Sequence, residues 1–374
     1  MKFNDFSNNK PKYNLGDIVS IHSGINIPDT PDGEYYNLTM GSVTRNGKLV
    51  FSLRTNETNR LLCKGQLIMP TRDVGDCSII GRTALIDKNN KYFAGNCLYV
   101  LTLKKGNPTY LHLYMNSNFA RKQISKIIEG GSQKQITLNE IEKMQIPFPN
   151  LEEQDKIAKL FNTFEKEIEK EEYLIQKLKN IKQSFLERLF PNENNNNIPQ
   201  LRFESFTDTW EQRKLGDCFD ERNESMPDGE LISVTINDGI RKFSELGRHD
   251  NSNDDKSKYK KVCVGDIAYN SMRMWQGASG YSPYEGIVSP AYTVLSPKMG
   301  VVSRCLAYQF KLPEMIHTFQ VNSQGITSDN WNLKYPAFSE IEVAVAKQTE
   351  EQELIASFFT NLDHLITLHQ CKCI

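Results

Sequence analysis

The chain repeats itself at a spacing of about 200 residues, and this repeat restricts the fold more than any other feature. Leu15-Gly16-Asp17 returns as Leu215-Gly216-Asp217. Cys63-Lys64-Gly65-Gln66-Leu67 returns as Cys263-Val264-Gly265-Asp266-Ile267 at the same offset of 200. A period shared by two divergent halves indicates one architecture used twice. With 374 residues, the chain is long enough for two domains of ordinary size.

The repeat also contains the start of a helix. Glu152-Glu153-Gln154 returns as Glu350-Glu351-Gln352, at an offset of 198. Each copy follows a mixed unit of about 150 residues, which we call a head. Each copy is followed in turn by residues that favour a helix. The chain is therefore organised as head, helix, head and helix.

Each head combines short runs of β-branched and aromatic residues with turns rich in Gly, Pro and Asn, a pattern typical of short strands. Strands are predicted over residues 18–21, 66–69, 98–103, 231–236 and 292–295. One helix is predicted in each head, over residues 108–129 and 304–322. The mixture predicts two copies of an α/β or α+β domain, joined by long α-helices.

Residues 151–190 contain neither Gly nor Pro and are rich in Glu, Lys, Leu and Ile, which predicts one long helix. Its apolar residues recur at spacings of four and three, as in a coiled-coil seam, and the second copy keeps the same frame. The predicted seam consists of Ile157, Phe161, Phe164, Ile168, Ile175, Leu178, Phe185, Leu189, Ile355, Phe359, Leu362 and Ile366. Because two matching stripes can cover each other, we predict an antiparallel coiled coil.

The second helix is shorter than the first. An antiparallel helix of this length reaches only the C-terminal half of the seam, so the first four seam residues are predicted to lack a partner within the chain. The Asn-rich and Pro-rich tract at 191–199 cannot continue a helix and predicts a linker. The predicted segments are a first head (1–150), a spacer helix (151–190), a linker (191–211), a second head (212–349) and a shortened second helix (350–374).

The sequence lacks the motifs of the common DNA-modifying enzymes. A base methyltransferase needs an Asn/Asp-Pro-Pro-aromatic motif and a glycine-rich cofactor loop, and a nucleotide-driven motor needs Gly-x-x-x-x-Gly-Lys-Ser/Thr. None of these occurs. The Pro-Asp-Gly-Glu runs at 31–34 and 227–230 predict turns rather than a nuclease site. We therefore predict no catalytic residue, no cofactor site and no metal site in this chain.

The cysteines and histidines do not change this interpretation. The eight cysteines give no disulfide pattern, and neither they nor the six histidines have the spacing of a metal site. The longest apolar runs, such as residues 98–103, are far shorter than the roughly 20 residues of a membrane helix, and the polar start does not resemble a signal peptide. The expected location is the cytoplasm.

Charge distinguishes the two heads. Residues 1–150 carry 19 Lys and Arg against 12 Asp and Glu, a net charge of +7, whereas residues 212–349 carry 16 against 17. A positive head suits a polyanion such as DNA, but a surface of solvated lysines explains the same count equally well. Charge therefore favours a binding function without deciding the ligand.

Several motifs resemble those of type I restriction-modification specificity subunits. The segment Pro199-Gln200-Leu201-Arg202-Phe203, followed by Trp210-Glu211 and Lys214-Leu215-Gly216-Asp217, is similar to the opening of a target recognition domain in that family. The segment Ile141-Glu142-Lys143-Met144-Gln145-Ile146-Pro147, ahead of Glu152-Glu153-Gln154, is similar to its end. The resemblance implies a non-catalytic subunit that reads a bipartite DNA target, one half per head, with the helices setting the gap.

The resemblance also implies partners and cofactors. The implied partners are double-stranded DNA, two DNA-adenine methyltransferase subunits and the restriction and translocase subunits, with no membrane. S-adenosylmethionine, ATP and Mg²⁺ are then bound by those subunits and not by this chain.

We predict the DNA-reading residues from the non-repeated loops, because Arg and Lys suit guanine and Asn and Gln suit adenine in the major groove. In the first head they are Arg45, Lys48, Arg72, Ser132, Gln133, Lys134 and Gln135. In the second head they are Arg241, Lys242, Asn270, Arg273, Gln276, Ser323, Gln324 and Asn330.

A function of another class fits the same sequence. The chain could serve as a coiled-coil adaptor whose two heads bind other ligands and which has no DNA role. Salt-dependent binding to mixed duplex DNA distinguishes the two functions. A single-chain enzyme is disfavoured by the missing motifs.

Overall fold

In the computed structural model the chain divides into two compact units, Met1–Glu167 and Ile168–Ile374. The structure describes residues 11–73, 77–129, 134–192, 197–236, 239–247, 249, 252, 255–327 and 330–373. The division falls inside one long helix, so each unit contains one head and part of that helix.

The first unit is built around a four-stranded sheet. Its strands are β1 (Lys12–Asn14), β2 (Val19–Ser23), β3 (Tyr35–Leu38), β4 (Arg54–Thr55), β5 (Leu67–Pro70), β6 (Ala84–Leu85), β7 (Tyr92–Ala94), β8 (Leu98–Leu103) and β9 (Gln145–Pro147). Its helices are α1 (Leu15–Ile18), α2 (Pro108–Asn116), α3 (Asn118–Glu129), α4 (Leu138–Glu142) and the first part of α5 (Leu151–Leu189). The main sheet is antiparallel, with the order β2-β8-β5-β6, a second sheet has the order β4-β3-β7, and β1 pairs with β9.

The main sheet of the first head is covered on both faces, because side chains alternate along a strand. Leu67 and Met69 of β5 belong to the core formed with helices α2 and α3. Ile68, between them, belongs to a separate core with residues of β3 and β7. The apolar run of β5 therefore packs against helices on one side and against the small sheet on the other.

The repeated Leu-Gly-Asp segment joins the beginning of each head to its end. Leu15 N–H donates to the carbonyl of Met144 at 2.8 Å, and Leu215 N–H donates to the carbonyl of Ile341 at the same distance. Both leucine side chains are fully buried. The segment returns in the sequence because each head needs the same closure next to the helix that follows.

The repeated Cys-x-Gly segment forms the same turn in both heads. Its glycine has a positive φ, +89° at Gly65 and +98° at Gly265, a conformation that glycine adopts without a steric penalty. The cysteine N–H donates to Oε1 of Gln66 at 2.7 Å in the first copy and to Oδ2 of Asp266 at 2.8 Å in the second. A side-chain acceptor three residues after the cysteine thus closes the turn that precedes β5 in the first head and the equivalent strand in the second.

The second unit repeats this plan with different small sheets. Its strands are β10 (Glu211–Lys214), β11 (Phe219–Glu221), β12 (Ile232–Thr235), β13 (Gly239–Lys242), β14 (Lys260–Val262), β15 (Ile267–Asn270), β16 (Ser279–Tyr281), β17 (Gly286–Val288), β18 (Tyr292–Pro297) and β19 (Glu342–Val345). Its helices are α6 (Leu215–Cys218), α7 (Ser303–Gln309), α8 (Pro313–Val321), α9 (Tyr335–Ser339) and α10 (Thr349–Lys372). The main sheet is β11-β18-β15-β16, and the pairs β10-β19, β12-β13 and β14-β17 complete the head.

The helices predicted over 108–129 and 304–322 are each broken in two, so this part of the prediction was wrong. In the first head the backbone is extended at Ser117, with φ −72° and ψ 160°, and its hydroxyl caps the start of α3. In the second head Pro313 begins α8, and Leu312 is extended, as the residue before a proline tends to be. A local cap in the first segment and a proline in the second therefore outweigh the helical composition of these segments.

The long helix α5 confirms the predicted spacer, and its C-terminal half pairs with α10 inside the second unit. Lys182 Nζ lies 2.6 Å from Asp363 Oδ1, and Glu171 pairs with His369. Partner numbers on α10 rise as those on α5 fall, so the two helices are antiparallel, as predicted. The α10 seam residues are buried: Ile355, Phe359, Leu362 and Ile366.

The N-terminal half of α5 corrects one prediction. Ile157 packs against the core of the first head, so the prediction that it lacks a partner within the chain was wrong. Phe161 is half-buried. Phe164 and Ile168 are 56% and 38% exposed, and Leu160 beside them is also exposed. The exposed apolar surface of α5 therefore begins one helical turn later than the seam pattern predicts.

The glutamine of each Glu-Glu-Gln segment fixes the start of its helix to the head. Gln154 is buried, its Nε2 donates to the carbonyl of Pro149 at 2.7 Å, and its Oε1 accepts the Asn107 N–H at 2.9 Å. Gln352 is also buried and makes the equivalent two bonds to backbone groups, at 2.8 Å each. Buried hydrogen bonds therefore hold the start of each helix to its head.

The described residues offer neither a membrane span nor a metal site. Within them, no helix combines the length and apolar composition needed to cross a bilayer, and His, Cys, Asp and Glu side chains form no group of three placed to hold an ion. The eight cysteines are free thiols. Burial raises the pKa of the Cys218 thiol to about 11, so this group is neutral and serves in packing.

Candidate nucleic-acid interface

In the first head two loops meet at one end of the main sheet, and we call this place the loop edge. The first loop follows β5, which ends at Pro70, and the second follows α3. Ile136 N–H donates to the carbonyl of Thr71 at 2.8 Å, and Arg72 forms an antiparallel backbone bridge with Gln135. Two segments that lie far apart in the chain are thus held side by side.

A shallow cavity of about 260 Å³ opens at this loop edge. Arg72 and Gln135 line it, together with Asn96 and Tyr99 beside the start of β8. Arg72 and Gln135 are exposed. A guanidinium and an amide at the surface can reach the hydrogen-bonding groups of base edges or phosphates.

The second head builds the same edge. Its first loop follows β15, which ends at Asn270, and its second loop follows α8. Leu333 N–H donates to the carbonyl of Ser271 at 2.9 Å, which is the counterpart of the bond in the first head. Gln324 and Asn332 form an antiparallel bridge that closes the second loop into a hairpin.

Two tryptophans reinforce the loop edge of the second head. The rings of Trp275 and Trp331 meet edge to face, with centroids 5.2 Å apart and an interplanar angle of 81°. Trp275 Nε1–H donates to the carbonyl of Met272 at 3.1 Å. Each loop contributes one ring, so the aromatic contact fixes the two loops relative to each other.

The backbone bonds align the two loop edges residue by residue. Because β5 and β15 are 200 positions apart, Met272 occupies the place of Arg72. Because Ile136 and Leu333 make equivalent bonds, Trp331 occupies the place of Lys134. Two charged positions of the first loop edge are therefore apolar in the second.

Comparison with known protein families identifies the family to which the chain belongs. The model of the type I restriction modification DNA specificity domain matches residues 8–180 and 207–373. The chain belongs to this family. The matched ranges cover residues 8–150 of the first head and all of the second, so the two heads are its two specificity domains, and the protein is a non-catalytic specificity subunit, as the motifs predicted.

Solved structures are similar to this chain over most of its length, and two of them have TM-scores above 0.5. The S subunit of a type I restriction-modification system from M. genitalium aligns with a TM-score of 0.63 and 17% identity, covering 100% of this chain and 94% of that one. A chain from a structure of complex assembly and conformational transition in the type I R-M system has a TM-score of 0.52 and 14% identity, covering 97% and 92%. The HsdS subunit from Thermoanaerobacter tengcongensis has a TM-score of 0.46 and 15% identity, covering 99% and 93%. No curated protein sequence matches significantly.

The predicted DNA-reading residues of the first specificity domain fall in two places. Arg45 and Lys48 are exposed on a separate turn, which packs against the C-terminal end of α2. The residues at the loop edge are Arg72, Lys134 and Gln135. Two further predicted residues lie outside the described part of the chain: Ser132 and Gln133.

In the second specificity domain, Arg241 and Lys242 lie in the β12-β13 hairpin rather than at the loop edge. Lys242 Nζ lies 2.9 Å from Glu230 Oε2 and 5.4 Å from the ring centre of Tyr284. The carboxylate of Glu230 raises the pKa of Lys242. This lysine is therefore already paired, and the exposed Arg241 guanidinium lies 4.0 Å from Glu245 Oε2.

The first loop of the second edge contains Asn270, Arg273 and Gln276. Asn270 Oδ1 accepts the Met272 N–H at 3.0 Å, so its carbonyl shapes the loop. Gln276 Oε1 is buried and has no hydrogen-bond partner among the described residues, so it faces away from solvent. Of the three, Arg273 alone is exposed.

The hairpin of the second edge contains the other three predicted residues. Ser323 donates to the carbonyl of Phe319 at 2.7 Å and thereby caps α8. Gln324 is exposed at the base of the hairpin, where it bridges Asn332, and Asn330 is exposed further along the hairpin. Gln324 and Asn330 therefore have the accessibility that base contact requires.

Sequence analysis missed the lysine that holds the second loop edge in place. Lys311 Nζ donates to the carbonyls of Gly277 at 2.5 Å, Ser279 at 2.8 Å and Ile236 at 3.3 Å. Burial lowers the pKa of Lys311 to about 8. No local pattern marks this residue, because its acceptors come from two other segments of the domain.

Two arginines have the corresponding role in the first specificity domain. Arg121 donates to the carbonyl of Ile80, and Arg82 donates to the carbonyl of Asn116 at 2.8 Å. Burial lowers the pKa of both guanidinium groups. These half-buried arginines connect the segment between β5 and β6 to helices α2 and α3.

Proposed function

We propose that this specificity subunit reads a DNA target in two separated parts, one with each specificity domain. The observation that carries the proposal is the loop edge, which is built twice on equivalent backbone bonds and with different exposed side chains. Two half-sites of different sequence require such an arrangement, because base contacts specify the sequence while the frame only positions them.

A domain exchange tests this proposal. Replacing residues 212–349 with the second specificity domain of another family member should change one half of the methylated motif and leave the other unchanged. Methylation mapping of the whole genome, before and after the exchange, provides the measurement. A change in both halves, or in neither, contradicts the assignment of one domain to one half-site.

Duplex DNA, two DNA-adenine methyltransferase subunits, and restriction and translocase subunits are the proposed partners. S-adenosylmethionine, ATP and Mg²⁺ belong to those subunits in this proposal. The chain alone has a net charge of −1, so it should bind DNA weakly, and the methyltransferase subunits should add phosphate contacts. Equal affinity of the isolated chain and the complex, at matched salt, contradicts this division of labour.

The exposed apolar residues of α5 are the proposed docking surface for a methyltransferase subunit. Leu160 and Phe164, with Ile168 one turn further, form an apolar stretch at the surface of an otherwise charged helix. Such stretches mark protein contacts. Phe164→Ser with Ile168→Ser should weaken assembly while each specificity domain stays folded.

Size-exclusion chromatography with light scattering measures that assembly. Val264→Ser, at an exposed apolar residue in the Cys-x-Gly turn, is the matched control and should assemble normally. Loss of a dimer of this chain, with methyltransferase binding retained, would assign the surface to a second copy instead.

Helix α5 is the proposed ruler for the gap in the target. At ~1.5 Å per residue, its 39 residues span about 58 Å, enough for two sites about one DNA turn apart. Four residues inserted after Lys166, in the exposed part of the helix, add about 6 Å, or roughly two base pairs. The unread gap should lengthen with both half-sites unchanged, and an unchanged gap contradicts the ruler.

The adaptor function remains the competing hypothesis. It requires no particular residues at the two loop edges. It also predicts that DNA binding by the chain does not depend on salt or on DNA sequence. Titration of the chain with mixed duplex DNA between 50 and 200 mM salt distinguishes the two, because phosphate contacts weaken steeply over roughly this range.

A further inference from the structure

Exposed apolar side chains surround the loop edge of the second specificity domain. Ile326, in the hairpin, is 98% exposed, and Met272, in the facing loop, is 48% exposed. Val321, at the end of α8 just before the hairpin, is exposed as well. Ile236 is also exposed, and its carbonyl accepts a hydrogen bond from Lys311, as the Gly277 carbonyl does. Four apolar groups in contact with water at one edge indicate a binding surface.

Two apolar side chains of this edge, Met272 and Trp331, stand where the first specificity domain has charges. Met272 occupies the place of Arg72, and Trp331 occupies that of Lys134. The tryptophan pair is rigid, because Trp275 donates to the Met272 carbonyl and packs against Trp331. Exposed Arg273, next to Met272, can pair with a phosphate. The edge therefore combines a cationic side chain with exposed apolar side chains beside a packed tryptophan pair.

We propose that the second specificity domain reads thymine through Met272 and Ile326, an inference that rests on the proposed function. The C5-methyl group of thymine is the apolar group that a base pair presents in the major groove. Guanine and adenine contacts need donors such as those at the first edge, whereas methionine and isoleucine offer dispersion contacts and exclusion of water. The two half-sites are thus recognised by different chemistry.

Deoxyuridine provides the direct probe, because it keeps the hydrogen-bonding groups of thymine and lacks the methyl group. Once the target is mapped and the domain exchange has assigned its halves, each thymine of both half-sites is replaced singly in a duplex. Binding to the chain in complex with its methyltransferase subunits should weaken about fourfold at one or more thymines of the second half-site. That factor is about 0.8 kcal/mol, the typical value for one buried methyl-sized group.

Two substitutions connect this effect to the side chains. Met272→Ser or Ile326→Ser should remove the preference for thymine over deoxyuridine, while binding through the first half-site is unchanged. Met299→Ser is the matched control: Met299 is fully exposed but follows β18 at the opposite end of the sheet, because Asn270 pairs with Tyr292 and Ile267 with Leu295. The control should keep the preference.

The outcomes separate this inference from the function on which it rests. Absence of any sequence-specific DNA binding defeats the proposed function itself. Specific binding with equal affinity for thymine and deoxyuridine throughout the second half-site, or a half-site with no thymine on either strand, overturns the inference alone. Loss of methyltransferase subunits from the Met272→Ser complex in size-exclusion chromatography also overturns it, because the edge would then bind protein.

Discussion

The loop edges of the two specificity domains share a backbone frame and differ in side-chain chemistry. In both, a backbone N–H after the second loop donates to the carbonyl of the residue that follows β5 or β15. The distance is 2.8 Å from Ile136 to Thr71 in the first domain and 2.9 Å from Leu333 to Ser271 in the second. On that frame the first domain presents Arg72 and Lys134, and the second presents Met272 and Trp331. The comparison teaches that buried backbone bonds and exposed loop residues can vary independently, which lets one fold recognise different ligands.

The largest predicted effect concerns a buried ion pair in the second unit. In the second unit, Arg202 makes two bonds to Glu351, at 2.7 and 2.8 Å, and the Glu351 side chain is 1% exposed. Arg202→Met should lower the free energy of unfolding by about 3 kcal/mol or more, because a buried carboxylate loses its partner. Urea denaturation monitored by circular dichroism measures the loss.

The double variant and a surface pair provide the controls for Arg202. Adding Glu351→Leu should restore most of the stability, because the unpaired charge is removed. Lys156→Met, which breaks an exposed pair with Glu152 on α5, should cost under about 1 kcal/mol. Equal losses for Arg202→Met and Lys156→Met would show that the buried pair does not stabilise the second unit.

The second prediction tests the part of the frame that is the same in both domains. Gln154→Ala and Gln352→Ala each leave buried backbone groups without partners, and each should cost about 1–3 kcal/mol. Thermal unfolding of the two variants should show similar losses. A large loss for one glutamine and none for the other would mean that the two helix starts are not equivalent.

The third prediction sharpens the contrast between the loop edges. If Arg72 and Lys134 contact phosphates, Arg72→Ala and Lys134→Ala should each reduce the slope of log affinity against log salt by about 0.9. Met272→Ser should weaken binding without changing that slope. Titrations at several salt concentrations measure this, and an unchanged slope in all three variants would remove the electrostatic half of the comparison.

The smallest expected effect concerns the pairing of α5 with α10 in the second unit. Hydrogen bonding to His369, and then to Lys372, lowers the pKa of Glu171 below its ordinary value of 4.5. A carboxylate with a lower pKa in the folded state contributes stability that is present above its unfolded pKa and is lost as pH falls through the folded pKa. The unfolding temperature of the wild type should therefore fall more between pH 6 and pH 3 than that of Glu171→Gln. Parallel curves for the two proteins would contradict the role of this carboxylate.

Much of the architecture could be predicted from the sequence because it depends on local or periodic patterns. The offset of 200 located both copies of the Leu-Gly-Asp closure and the Cys-x-Gly turn. The absence of Gly and Pro over residues 151–190 predicted α5, and its apolar spacing predicted the antiparallel partner. The errors arose where a local cap or a tertiary contact decided the outcome, as at Ser117, Pro313 and Ile157.

The candidate site was less predictable than the fold. The non-repeated loops contained Arg72, Gln135, Arg273 and Asn330, but residue type alone did not reveal that Lys242 is paired with Glu230 or that the Gln276 carbonyl faces inward. Lys311 carried no signal at all. A loop residue can contact a ligand only if the rest of the domain leaves it exposed and unpaired, and that depends on residues elsewhere in the chain.

By itself, the sequence determined that this protein has two related heads with a helix after each, because the repeat and the helical periodicity can be read directly from the order of the residues. The tertiary structure decided which distant segments meet. It brought Arg72 beside Gln135 and Trp275 against Trp331, and it buried Gln154 and Gln352 where the helices leave the heads. Those contacts depend on strand register and side-chain packing across the whole domain, and no local segment encodes them.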